Sequence, residues 1–328
     1  MPAPPPLSEP AIVSATFNLR VAMRVAYRRV ETQRTLFTAH SGRYVAAVRL
    51  VAVWILLMFA LAARAADGRP LVVTSFLPIY SWTVNVAGKH ARVENLLSAN
   101  AEPHEYAFTT RDVRKLNSAD LVIINGLGLE NWITKWQAAA KPQPAKVITL
   151  SDALTPHLID GNPHFWLDPQ LASAAVSNIA AALQRIDPAN SSAYASNATA
   201  YVTRLHKLDA EFREAVAALT NRALVTYHDA FPYLARRYEF KIAGVVETIP
   251  EVEPTPRHLE QLRKTMQDHG IRTIFIPPHS HSRLARQLAK DWKMRIAVLD
   301  TLESGALKAD AYEAGMRANL KSLTNALK

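Results

Sequence analysis

Four separated segments of the chain carry side chains that suit a divalent metal ion. They are Glu102-Pro103-His104-Glu105-Tyr106, Pro163-His164-Phe165-Trp166-Leu167-Asp168-Pro169, Tyr227-His228-Asp229-Ala230-Phe231 and Val298-Leu299-Asp300. Three imidazoles and one carboxylate are a donor set able to close a four-coordinate zinc site. No two of the four residues, His104, His164, His228 and Asp300, are close in the chain. Only a tertiary fold can bring them together, so the elements around them carry the question.

Those elements read as an α/β protein. Apolar, β-branched runs at Leu71–Phe76, Val93–Leu97, Leu121–Ile124 and Lys146–Leu150 alternate with helical patterns at Ile79–Ala87 and Thr110–Leu116. The same alternation returns at Ala223–Tyr227, Lys241–Val246, Arg272–Ile276 and Arg295–Leu299. Strands alternating with helices predict parallel sheets. Between the two halves lie helical patterns only, at Pro169–Ile186 and Ser191–Leu219. In the latter, Tyr194, Tyr201, Leu205, Leu208, Phe212, Val216 and Leu219 recur at mostly three- and four-residue spacing, the period of one helix face. At about 1.5 Å per residue that helix is about 40 Å long, enough to hold two lobes at a fixed separation. Thr255-Pro256 is a helix start with proline in the first turn, and Gly270 its stop.

The ligand candidates sit where such a fold puts chemistry. His228 and Asp300 directly follow strands, and ligand crevices of open α/β sheets lie outside the carboxyl ends of the strands. His104 and His164 each follow a proline in a loop. Plainer readings stand beside these. A loop histidine is often a surface residue, and Asp300 can cap the turn Thr301–Gly305. Asp168 reads as the cap of the next helix, and Asp229 as a cap or as a support for a ligand imidazole. Glu105 reads as solvated or hydrogen-bonded, with a fifth oxygen donor as the alternative, and Glu247, Glu251 and Glu253 as a solvated loop. His279 and His281 follow a strand too and fit either a helix-entry loop or a second, weaker ion site.

The 328-residue chain has no cysteine, which excludes thiolate zinc ligands, a disulfide framework and a cysteine-borne lipid anchor. Its formal charge of +10 is mostly a property of the first 65 residues, which carry eight Arg and two Glu. The remainder has 30 basic and 26 acidic residues, a charge of +4, with no basic patch interleaved with aromatics. Nucleic-acid binding is therefore not expected. Leu50–Ala63 is a short apolar run after Arg43 and Arg49, followed by Ala63-Arg64-Ala65, the layout of a cleaved secretory signal. The expected organisation is an N-terminal extension without core-forming pattern (1–41), a signal peptide (42–65), an N-terminal α/β lobe (66–186), a bridging helix (187–220) and a C-terminal α/β lobe (221–328).

Taken in order, several segments together resemble the periplasmic metal-binding proteins of zinc and manganese ABC importers, the ZnuA/TroA-like group. These are Ala101-Glu102-Pro103-His104-Glu105-Tyr106, Ser118-Ala119-Asp120-Leu121-Val122, Asn125-Gly126-Leu127-Gly128-Leu129-Glu130-Asn131-Trp132, the His164 segment, His228-Asp229-Ala230-Phe231-Pro232-Tyr233, Glu253-Pro254-Thr255-Pro256 and Val298-Leu299-Asp300. The resemblance covers nearly all of residues 70–325. It implies two α/β lobes bridged by one rigid helix, with metal ligands His104, His164, His228 and Asp300 in the interlobe cleft. It implies a non-enzymatic, periplasmic, monomeric carrier that delivers Zn2+ to an ABC transporter permease in the inner membrane. Histidine at position 228 is similar to the zinc members, whereas glutamate there is typical of manganese members, so Mn2+ or iron is the alternative cargo. Imidazole suits zinc in the same direction. A zinc hydrolase is the more distant alternative, and no HExxH motif supports it. The chain departs from many zinc members in lacking a His-rich loop: residues 133–160 contain only His157. Pro232 also stands where a glycine is common.

Overall fold

A computed structural model describes residues 68–139, 146–159, 161–248, 252–278 and 283–328. The expected extension and signal peptide lie outside the described residues, as do Glu251, His279 and His281. Among the described residues no helix is long and apolar enough to cross a membrane.

Two four-stranded parallel sheets share one strand order. The first contains β1 (Leu71–Thr74), β2 (Arg92–Asn95), β3 (Leu121–Ile124) and β4 (Lys146–Thr149), ordered β2-β1-β3-β4. The second contains β5 (Ala223–His228), β6 (Lys241–Glu247), β7 (Thr273–Ile276) and β8 (Arg295–Val298), ordered β6-β5-β7-β8. Every strand pair is parallel. The central strands show why. All four residues of β1, β3 and β7 are buried, the continuous apolar run of a strand covered on both faces. In each sheet the order reverses beside its first strand. The carboxyl ends of β1 and β5 therefore open at a switch point, where such sheets bind ligands.

The helices are α1 (Leu77–Ala87), α2 (Thr110–Asn117), α3 (Ile133–Ala139), α4 (Pro169–Ile186), α5 (Ser191–Ala217), α6 (Pro232–Tyr238), α7 (Pro256–Asp268), α8 (Arg283–Asp291) and α9 (Ala311–Leu327). Their starts follow local chemistry. Asp168 accepts from Gln170 N–H at 2.8 Å and Thr255 Oγ1 accepts from His258 N–H at 3.2 Å, each with proline in the first turn. Gly270 takes a positive φ of 62° just past α7.

The long helix is present as α5, 27 residues or about 40 Å. Tyr194, Tyr201, Leu205, Leu208, Phe212 and Val216 face inward, all essentially inaccessible to solvent. They belong to one core that also contains Val72 and Val122 of the first sheet, Leu224 and Phe275 of the second, and Tyr312 of α9. A smaller core of Val225, Val246, Leu262, Met266 and Ile274 covers the second sheet's other face. Adjacent residues Leu224 and Val225 enter different cores because side chains alternate across a strand.

Polar ties run across the same junction. The buried Asp209 of α5 accepts Arg237 Nε at 2.8 Å, Arg237 Nη2 at 2.6 Å and Tyr238 O–H at 3.1 Å from α6, and Gln170 Nε2 at 3.1 Å from α4. Burial opposes the charge on Asp209, but the Arg237 guanidinium outweighs it and holds the carboxyl below its usual range. The last helix also returns to the first lobe. Tyr312 packs edge-on against Trp82 of α1 at 5.3 Å, and Ser81 Oγ donates to Ala309 O at 2.8 Å.

Candidate metal centre

The three histidines named from the sequence converge. His104 lies in a single 3₁₀ turn, Pro103–Glu105, after β2, and His164 immediately precedes another, Phe165–Leu167. His228 is the last residue of β5. The carboxylate that joins them is Glu303, three residues beyond the one expected. His104 Nε2 lies 3.0 Å from Glu303 Oε1, His164 Nε2 3.2 Å from the same oxygen, and His228 Nε2 3.2 Å from His164 Nε2. One donor atom from each of the four lies within 4.8 Å of every other. His104 and His164 come from the first lobe, and His228 and Glu303 from the second.

Asp300 is not a member of this cluster, and a turn explains why. Its backbone is clamped by Asn319, whose Oδ1 accepts Asp300 N–H and whose Nδ2 donates to Asp300 O, both at 2.7 Å. Its Oδ1 accepts Leu302 N–H at 2.8 Å. Leu302 takes a left-handed φ of 61°, which turns the chain and carries Glu303 inward to 5% exposure. The turn-capping reading of Asp300 is the one its hydrogen bonds match. The missed signal was Thr301-Leu302-Glu303, a second acidic residue within one tight turn of the last strand.

A supporting residue, Asn162, orients the His164 imidazole. Asn162 Oδ1 lies 2.8 Å from His164 Nδ1 and accepts His164 N–H at 3.0 Å. Its Nδ2 donates to Asp229 O at 2.9 Å, beside His228 in the other lobe. An amide whose nitrogen is committed to a carbonyl presents only oxygen to His164, so His164 carries its proton on Nδ1. The lone pair of His164 Nε2 then faces Glu303 Oε1 and His228 Nε2. Electron pairs opposed at 3.2 Å repel unless a proton or a cation lies among them. Bonds of about 2.0–2.1 Å at a tetrahedral zinc place its ligands about 3.3 Å apart, which the three contacts of 3.0–3.2 Å approach while the remaining pairs lie within 4.8 Å.

The Asn125-Gly126 turn braces the same loop. Asn125 Nδ2 donates to Pro163 O at 3.0 Å, and the buried Glu130 carboxylate accepts Asn125 N–H at 2.8 Å and Gly126 N–H at 3.0 Å. Gly126 has a φ of 91°, and a Cβ there would collide with Ser151 Oγ and Thr149 Cγ2. Trp166, fully buried, donates from Nε1 to Thr301 O at 2.7 Å and accepts Tyr312 O–H on its carbonyl at 2.6 Å. These bonds join the His164 and Glu303 segments below the cluster.

Burial pulls the His228 imidazole down from 6.5 to about 4, and the imidazoles of His164 and His104 push the same way against the opposing Glu303 charge. Burial works against ionisation of Glu303, yet its contacts to His104 and His164 outweigh this and hold the carboxyl well below its ordinary range. A signed consequence follows for the metal-free protein. Between pH 4 and 6.5 the unfolded chain protonates His228 and the folded chain does not. The unfolded state then binds more protons, so stability is lost as pH falls through that window and recovers as it rises. Urea unfolding at a series of pH values is expected to show this slope, and His228→Ala to reduce it.

Residues 72–326 match the family described as zinc-uptake complex component A, periplasmic. The zinc-binding lipoprotein AdcA of Streptococcus pneumoniae is 30% identical over 281 residues, covering 79% of this chain. This chain spans 56% of that relative's length. The Zn(II)-bound ZnuA-like domain of S. pneumoniae AdcA is similar with a TM-score of 0.67 at 30% identity, over 79% of this chain and 99% of that one. The FpvC protein of Pseudomonas aeruginosa in complex with Mn2+ is similar with a TM-score of 0.71 at 28% identity, over 79% and 98% of the two chains. Two like-ordered parallel sheets, a bridging helix and three converging imidazoles accompany these matches, and the chain belongs to the family of periplasmic zinc-uptake complex component A.

Proposed function

We propose that the protein is the zinc-binding component of an ABC importer, with His104, His164, His228 and Glu303 holding one Zn2+ as cargo. One observation carries this reading: three imidazoles and one carboxylate, drawn from both lobes, converge with one metal-binding atom of each within 4.8 Å of every other. Four protein donors complete a tetrahedral shell, whereas catalytic zinc keeps a position for water. Capture and delivery therefore suit the site better than hydrolysis. The chain is exported to the periplasm through the signal at 42–65 and hands its ion to a membrane permease. The core shared by both lobes and α5 confines release to the ligand loops rather than to wide opening of the lobes.

Ligation needs neutral imidazole, so affinity falls as pH drops through the histidine range. Calorimetric titration of the metal-free protein with zinc is expected to give one tight site that weakens toward acid. A flat isotherm at neutral pH would sink the proposal. A manganese cargo is the second reading, favoured by the similarity to FpvC in complex with Mn2+. Imidazole-rich sites suit zinc better, so manganese is expected to fail to displace zinc in competition.

A further inference from the structure

The two oxygens of Glu303 have different surroundings. Oε1 faces His104 and His164, at 3.0 and 3.2 Å. Oε2 accepts the Thr301 hydroxyl at 2.7 Å. Both residues are 5% exposed, so water does not readily replace the hydroxyl. Thr301 is itself fixed, because Trp166 Nε1 donates to its carbonyl and the Asp300–Leu302 bond closes the turn on its other side. A hydroxyl donating to a carboxylate is a charge-assisted bond, stronger than a neutral one.

We propose that Thr301 is a specificity-determining residue of the metal centre, holding Oε2 of Glu303 away from the ion. The inference rests on the four-residue cluster being the cargo site. A carboxylate free to swing supplies one oxygen or two, and the second oxygen raises the coordination number. With Oε2 retained by Thr301, Glu303 supplies one, and the protein offers three nitrogens and one oxygen. That set satisfies zinc, which is at home with four ligands. It underserves manganese, which prefers six and favours oxygen. Thr301 touches no ion and acts through Glu303, so it sets selectivity more than affinity.

Thr301→Val keeps the side chain's shape and removes the hydroxyl, while Thr301→Ser keeps the hydroxyl. In the full chain, Thr301→Val is expected to lower the zinc-over-manganese preference about tenfold, the scale of one hydrogen bond to a charged group. Its cobalt-loaded form is expected to lose the intense visible bands of four-coordinate Co2+. Thr301→Ser is expected to match the parent in both. An unchanged preference with an unchanged cobalt spectrum in Thr301→Val overturns the inference, as does an equal loss of both metals with the four-coordinate bands intact. X-ray absorption of the zinc-loaded parent gives an independent check should Thr301→Val fail to fold: four N/O donors support the inference, and five or more overturn it. Failure of the underlying site reads differently, because His228→Ala would then leave zinc binding in the parent background unchanged.

Discussion

Glu303→Gln is expected to weaken zinc binding by more than about a hundredfold, whereas Asp300→Asn shifts it by no more than about threefold. The first figure follows from what is removed. Loss of a residue that merely supports a metal ligand costs about 10–100-fold, and Glu303 supplies the cluster's only carboxylate among the described residues. Glutamine keeps the length and the Thr301 partner but cancels the charge that offsets a divalent cation in a buried setting. The second figure follows from the turn. Asparagine at 300 keeps an oxygen for Leu302 N–H and leaves the backbone clamp from Asn319 intact. The substitution removes one nearby charge, partly screened by solvent. Calorimetry with a competing chelator separates the two. The reverse order of effects would return the carboxylate ligand to Asp300.

His228→Ala is expected to produce two opposite results in one protein. Zinc affinity falls by more than about a hundredfold, because one of three imidazoles is lost and alanine offers no donor. The metal-free protein, in contrast, gains stability relative to the parent as pH falls from 6.5 toward 4, because a buried imidazole that resists protonation has been removed. A residue kept only for packing would lose stability at every pH and leave zinc binding nearly intact. Zinc titration paired with urea unfolding at pH 5 and pH 7.5 distinguishes these cases. Retained zinc affinity would remove His228 from the site and with it the histidine-based argument for zinc.

Much of this protein was legible in its sequence because the signals are local. The strand at Leu121–Ile124 is an apolar run buried on both faces, Lys146–Thr149 is the part-exposed edge strand beside it, and both lie where the sequence predicts strands. Helix α4 begins at Pro169 because Asp168 caps it, a relation between neighbours in the chain. The long helix is written in the three- and four-residue spacing of its apolar face. The imidazoles of His104, His164 and His228 were legible as candidates, since imidazole is the commonest metal ligand and suits zinc better than the carboxylates beside them.

The carboxylate that joins the three imidazoles was not legible, because it depends on the direction of a turn rather than on residue type. Asp300 and Glu303 are both acidic and both follow β8. The choice between them is made by Asn319, nineteen residues away, and by the left-handed φ of Leu302. The tautomer of His164 was hidden for the same reason, since Asn162 is oriented by a carbonyl of the opposite lobe. Sequence by itself determined the two sheets, the bridging helix and the three nitrogens, which follow from periodicity and neighbour chemistry. Tertiary structure alone decided which carboxylate meets them, which oxygen it offers and which way the imidazoles face, because those outcomes are set by hydrogen bonds between segments far apart in the chain.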